Sequence, residues 1–189
     1  MNALISLHDK VFDMVEHRLG PVLMPSLARL IFAGTLLVYF WNSGLTKLGD
    51  GVAGIVQPGF NAYAQVLPRI AESVSYDASQ IGFGWKLVVL AGTWAEFILP
   101  ALLILGLFTR LAALGMIGFV VVQSYVDIVG HNADASTIGT WFDATSDSLI
   151  LDQRAFWVFL LLFLVVRGAG PLSLDAVLRG RAAPQTSAA

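Results

Sequence analysis

The sequence predicts an all-α fold, a polytopic membrane four-helix bundle with an N-terminal interfacial amphipathic helix. Three observations lead there. Of 189 residues, 57% are apolar and only 13% are charged, against roughly 25% charged in soluble domains. Mean hydropathy is high, at +0.75. The run from Trp85 to Asp127 is long enough for two membrane crossings and carries no charge between Glu96 and Arg110, given that about 20 apolar residues cover the ~30 Å hydrocarbon core.

In chain order, residues 1–20 come first. Leu4, Leu7, Val11, Val15 and Leu19 recur at helical spacing among Asp9, Lys10, Asp13, Glu16, His17 and Arg18. That pattern predicts a helix lying in the membrane interface, ended by Gly20-Pro21. The start has neither the basic residues nor the apolar run of a cleaved leader. The spans that follow define a membrane domain over 26–178.

The first span covers about 26–48. Arg29 and Lys47 can snorkel at its ends, Tyr39 and Trp41 suit an interface, and Gly34 and Gly44 allow close helix contact. Residues 49–84 are too polar to cross, holding Asp50, Arg69, Glu72 and Asp77 with Pro58 and Pro68. Within them Phe60 to Val74 can form a short helix over the bundle mouth, a lid in geometric terms.

Next comes a hairpin of two spans, about 85–105 and 108–128, turning at Gly106 to Thr109 beside Arg110. A second connection, Asp127 to Arg154, is acidic, with Asp134, Asp143, Asp147 and Asp152. The fourth span, about 153–168, lies between Arg154 and Arg167. Gly168-Ala-Gly-Pro171 breaks it, Ser173 can cap a last short helix, and residues 179–189 read as a flexible tail.

Four spans put both termini on one side. Lys10, Arg18, Arg29, Arg110, Arg167, Arg179 and Arg181 lie on the terminal side, against Lys47, Arg69, Lys86 and Arg154 on the other. The positive-inside rule then makes both termini cytoplasmic.

The absence of cysteine removes thiolate chemistry, disulfide exchange and cysteine-ligated clusters. A net charge of -2 suggests neither nucleic-acid binding nor a polybasic lipid sensor. No histidine falls within a span, which argues against a bis-histidine haem. Asp127 with His131, and Asp143 with Asp147, share helix faces, but the loop has no second histidine, so no metal site is expected.

Glu96 is the costly residue. It falls ~15 Å from the end of its span, where a carboxylate costs about 3 kcal/mol even on the lenient insertion scale. One reading makes it a register-fixing hydrogen-bonding group; the other gives it a role as proton acceptor or polar anchor for an amphiphilic ligand. By depth, Lys47, Asn42 and Gln123 are its preferred partners, which predicts a polar pocket opening outward and walled by Tyr39, Trp41, Trp94 and Tyr125. Glu96 and Lys47 are the candidate catalytic pair, and the other six are candidate ligand-binding residues. Gly92, Ala95, Gly115 and Gly118 suit helix packing, either within one chain or between two copies in a homo-oligomer.

Several of these features carry a resemblance. Arg29 with Gly34, Gly44-Leu-Thr-Lys47, Glu96 followed by ILGLFTRLAAL, and the closing GAGPLSLD together resemble the DoxX family of small bacterial membrane proteins. The resemblance spans roughly residues 27–178 and implies a four-helix bundle in the bacterial inner membrane. It marks Arg29, Lys47, Glu96 and Arg110 as family-like polar residues, with Arg29 and Arg110 structural. Some members are subunits of a thiosulfate:quinone oxidoreductase, and others are linked to membrane oxidoreductase complexes for thiol or oxidative stress. The implied role is a redox-linked subunit that binds quinone, has no intrinsic cofactor, and receives electrons from a partner oxidoreductase or a soluble reductant. The alternative is a noncatalytic assembly partner or a carrier of a small or lipophilic solute.

Overall fold

Helices make up 77% of the structure, because apolar runs in lipid must satisfy their own backbone groups. The structure is a computed structural model that describes residues 2–182, with the side chains of residues 4–180. Residues 183–189 of the predicted tail lie outside the described residues. Four helices are long and apolar enough to cross a membrane: α1 Leu4–Leu45, α2 Phe83–Leu105, α3 Thr109–Gly130 and α4 Leu149–Arg167. A shorter helix, α5 Leu174–Ala182, follows. Among the described residues there is no strand.

α1 departs from the expected break at Gly20-Pro21. The helix runs through both residues, and through Pro25 as well. A proline normally clashes with the carbonyl four residues back. Here the preceding turn, Val15–Leu19, is a π-turn in which the Gly20 N–H bonds to the Val15 carbonyl. The wider turn gives the Pro21 ring room, so the helix continues. At 42 residues, α1 is ~63 Å long, about twice the hydrocarbon thickness. Residues 4–19 are exposed on every face, so this N-terminal half packs on nothing in the chain.

The α2–α3 hairpin closes on chemistry that its sequence dictates. Gly106 adopts φ 67°, the left-handed conformation that ends a helix. Its N–H bonds to Leu103 O at 3.2 Å and that of Leu107 to Leu102 O at 3.0 Å, satisfying the last carbonyls of α2. Phe108 is also left-handed, at φ 48°. The Asp175 carboxylate from α5 accepts from Phe108 N at 2.8 Å, Thr109 N at 3.0 Å and Thr109 Oγ1 at 2.8 Å, capping α3 from a distant segment.

Side chains from all four long helices make the core, with Phe32, Phe40, Leu103, Met116, Leu161 and Leu164 fully buried. A second, smaller cluster joins the first connection to α2. Ala62, Tyr63 and Ile81 bury against Val89. Short helices Phe60–Val66 and Pro68–Ser73 thus lie over one end of the bundle, called here the loop end. Trp94 Nε1 donates to Ile55 O at 2.8 Å and helps hold the connection down.

Candidate functional site

The site begins with the phase of α1. Phe32, Leu36, Phe40, Gly44 and Lys47 are buried, and Ser43 shares their face. Gly44 permits the close approach, because a Cβ there would lie 2.6 Å from the Phe97 ring. The approach brings Lys47, just past the end of α1, to Glu96 in mid-α2.

Lys47 Nζ lies 3.0 Å from Glu96 Oε1 and 3.1 Å from Oε2, so it donates to both carboxylate oxygens. The two residues are 6% and 2% exposed, which makes this a buried ion pair. Ser43 completes the cluster. Its hydroxyl donates to Glu96 Oε1 at 3.0 Å and accepts from Lys47 Nζ at 2.7 Å, while Ser43 O accepts from the same Nζ at 3.1 Å. Each charge therefore has several polar contacts, the condition under which a buried pair is tolerated.

The pair lines a cavity of about 430 Å³ between α2 and α3. Small and apolar residues, including Gly92, Ala95, Leu99, Gly115 and Gly118, make most of its wall, and Gln123, Asp127 and His131 add polarity. Gln65 and Val66 of the first connection line its loop end. His131 Nε2 donates to Gln65 O at 3.0 Å, tying α3 to that roof. Gln123 Nε2 donates to the Tyr39 hydroxyl at 2.9 Å, leaving its buried Oε1 with no hydrogen-bond partner among the described residues.

Of the residues expected around Glu96, the structure brings Lys47 and Gln123 to the cavity. Asn42 lies on the exposed face, a ~100° helical rotation from Ser43. Ser43 takes the place expected for Asn42. The four aromatic residues do not line the cavity. Tyr39 stands behind Gln123 and packs on Trp157, with ring centroids 5.3 Å apart. Trp41 Nε1 donates to Phe97 O at 3.3 Å, Trp94 is bonded to Ile55, and Tyr125 is exposed. Large amphipathic rings suit the outer surface of a membrane bundle, and each of the four is at least 37% exposed.

A family model described as DoxX matches residues 25–126, more than half of the chain. This chain belongs to the DoxX family. No curated protein matches it, and no solved structure does. The matched part contains Arg29, Ser43, Lys47, Glu96, Arg110 and Gln123; Asp127, His131 and all of α4 lie beyond it.

In this DoxX-family protein Arg29 works away from the cavity. Its Nε donates to Leu103 O at 3.0 Å, its Nη1 to Leu172 O at 2.6 Å and Ala169 O at 3.3 Å, and its Nη2 to Ile104 O. One guanidinium thus ties α1 to the end of α2 and to the segment after α4. Arg110 is exposed and lies over Gly168. Neither arginine is among Glu96's hydrogen-bond partners, which are Lys47 and Ser43.

A second ion pair joins α3 to α4. Arg154 Nη2 donates to Asp127 Oδ2 at 2.6 Å and Nη1 to Ser124 Oγ at 2.9 Å, with Arg154 only 2% exposed. Sequence reasoning left Arg154 as a flanking charge; its spacing from Trp157, one helical turn on, was the available signal, since the guanidinium sits 5.9 Å from that ring. Among the described residues, no group of three or more histidine, aspartate or glutamate side chains is placed to hold a metal.

Proposed function

We propose that this DoxX-family protein is a redox-linked membrane subunit whose cavity binds a quinone head group beside Glu96 and Lys47. The observation that carries the reading is a buried, hydrogen-bonded acid–base pair lining a cavity of about 430 Å³, within the usual size range of small-molecule sites. The donor set fits the group. By giving up a bond to Ser43, Lys47 Nζ can donate to a carbonyl, and Gln123, whose buried Oε1 is unpartnered, can turn that oxygen toward a hydroxyl. A bound quinone would supply two-electron, two-proton chemistry. Glu96 exchanges a proton at its carboxylate, Lys47 compensates the charge, and Ser43 keeps both oriented. Electrons come from a partner oxidoreductase or a soluble reductant. With both termini cytoplasmic, in a bacterial inner membrane, the cavity lies in the outer half of the bilayer.

The noncatalytic reading, an assembly partner, draws support from the unpacked N-terminal half of α1. One set of measurements separates the two. Organic extraction of the purified full chain should yield quinone, and added quinone should be reduced with thiosulfate or a thiol as donor. Glu96→Gln keeps the side chain's shape but leaves Lys47 without its counterion, so it should be less stable, and the fraction that folds should lose that reduction. A colourless wild-type protein without quinone or reductase activity would support the noncatalytic role instead.

A further inference from the structure

The cavity is covered at its loop end but open along its flank. Gln65 and Val66 roof it, and the His131–Gln65 bond fastens the roof to α3. Along the side, Val88 and Val122 are 48% and 59% exposed, and Ala91, Gly115 and Gly118 are exposed between them. These positions belong to membrane-spanning helices, so their exposed surface meets hydrocarbon.

The glycines explain the opening. A Cβ on Gly92 or Gly118 would meet nothing within 4 Å, and one on Gly115 would meet only the Leu99 side chain, at 3.2 Å. Small residues in membrane helices usually bring backbones together. Gly92 and Gly118 do not. They leave a slot that leads from the lipid-facing surface to Gln123 and the Lys47–Glu96 pair. The α3 wall from Gly115 to Asp127 rises ~18 Å, more than half the hydrocarbon thickness.

Size and chemistry choose the occupant. A transmembrane helix is about 10 Å across and has no polar head to meet a recessed ion pair and an unpartnered amide oxygen. A single hydrocarbon chain carrying a compact polar head satisfies both ends.

We infer that the ligand enters sideways from the bilayer through the slot between Gly92 and Gly118, and that it is an amphiphile with a small hydrogen-bonding head and a hydrocarbon tail. The inference rests on the proposed head-group site and adds its access route and the tail that selects the ligand. The head reaches Lys47, Glu96 and Gln123, while the tail remains in the slot and in the lipid beyond.

Two quinone probes with one head test it, one bearing a decyl tail and one tail-less. Binding is measured to the full chain in lipid nanodiscs, corrected for partition into protein-free discs. Gly92→Leu and Gly118→Leu fill the slot and touch none of the polar residues. Each should weaken the tailed probe about tenfold or more, and by a clearly larger factor than the tail-less probe, whose head occupies less of the slot. Wild-type binding of the tailed probe by both variants would overturn lateral access while leaving the head site standing. Failure of both probes on wild type would overturn the two together. Because a leucine variant can misfold, the tailed probe is also made with a photoreactive group at the end of its tail and applied to wild type. Crosslinks at Val88, Gly92, Gly118 or Val122 support the inference, and crosslinks confined to Gln65 and Val66 refute it.

Discussion

Replacing Lys47 by methionine keeps the length of the side chain and removes its charge, so it isolates what the ion pair contributes. Glu96 is 2% exposed and would lose contacts of 3.0 and 3.1 Å while keeping the Ser43 hydroxyl at 3.0 Å. Removing one partner of a buried pair typically costs about 3–5 kcal/mol, because the other charge stays buried without compensation. The retained Ser43 bond places the expected loss at the lower end, about 3 kcal/mol. Pairing Lys47→Met with Glu96→Leu should recover stability to within about 1 kcal/mol of wild type, since apolar replacement of a whole buried pair is often neutral. Reversible unfolding in mixed micelles with increasing dodecyl sulfate measures all three variants. A loss under about 0.5 kcal/mol in Lys47→Met, or a double variant no better than the sum of its parts, would show that the pair is not coupled.

The same unfolding assay applies to the opposite end of the bundle. Arg29→Lys should cost about 2–3 kcal/mol, because one ammonium cannot span the carbonyls of Leu103, Ile104, Ala169 and Leu172; an unchanged midpoint would mean those carbonyls find other donors. Asp175→Ala should cost about 1 kcal/mol through loss of the α3 cap. Burial pushes the Asp175 carboxyl up, but hydrogen bonds from Thr109 and Phe108, with Arg179 nearby, outweigh it and hold the group below its ordinary value. A depressed carboxyl stabilises the fold above about pH 4 and loses that contribution as pH falls through its folded value. The alanine variant should therefore show a flatter acid limb, and identical acid limbs would exclude the cap as a pH-sensitive contact.

Long apolar runs made the four spans legible, since backbone satisfaction in lipid leaves helices as the outcome. Glu96 was legible for the same reason: a carboxylate at mid-span requires compensation, and Lys47 lay within reach. Ser43 was missed although the signal existed. Phe32, Leu36, Phe40 and Lys47 set a helical phase that includes Ser43 and leaves Asn42 outside, and depth alone could not tell these neighbours apart. The aromatic walls failed on direction, because distance along a span says nothing about which face a ring takes. Gly20-Pro21 looked like a stop because a π-turn has no sequence signature, and only that wider turn makes the proline compatible with continued helix. Gly92 and Gly118 look the same in sequence whether they pack against a neighbour or leave an opening, and coordinates are needed to see that nothing faces them.

Because Lys47 and Glu96 neutralise each other within 3.1 Å, the resting site presents almost no net charge to the electric field across the membrane. A proton added to Glu96 changes that, leaving a lone ammonium roughly halfway through the dielectric. Carrying a full charge across costs about 2.3 kcal/mol per 100 mV, so half the depth corresponds to about 1.2 kcal/mol. A proton that reached Glu96 from one face of the membrane would therefore be coupled to voltage by about that amount, with a sign set by the face it came from.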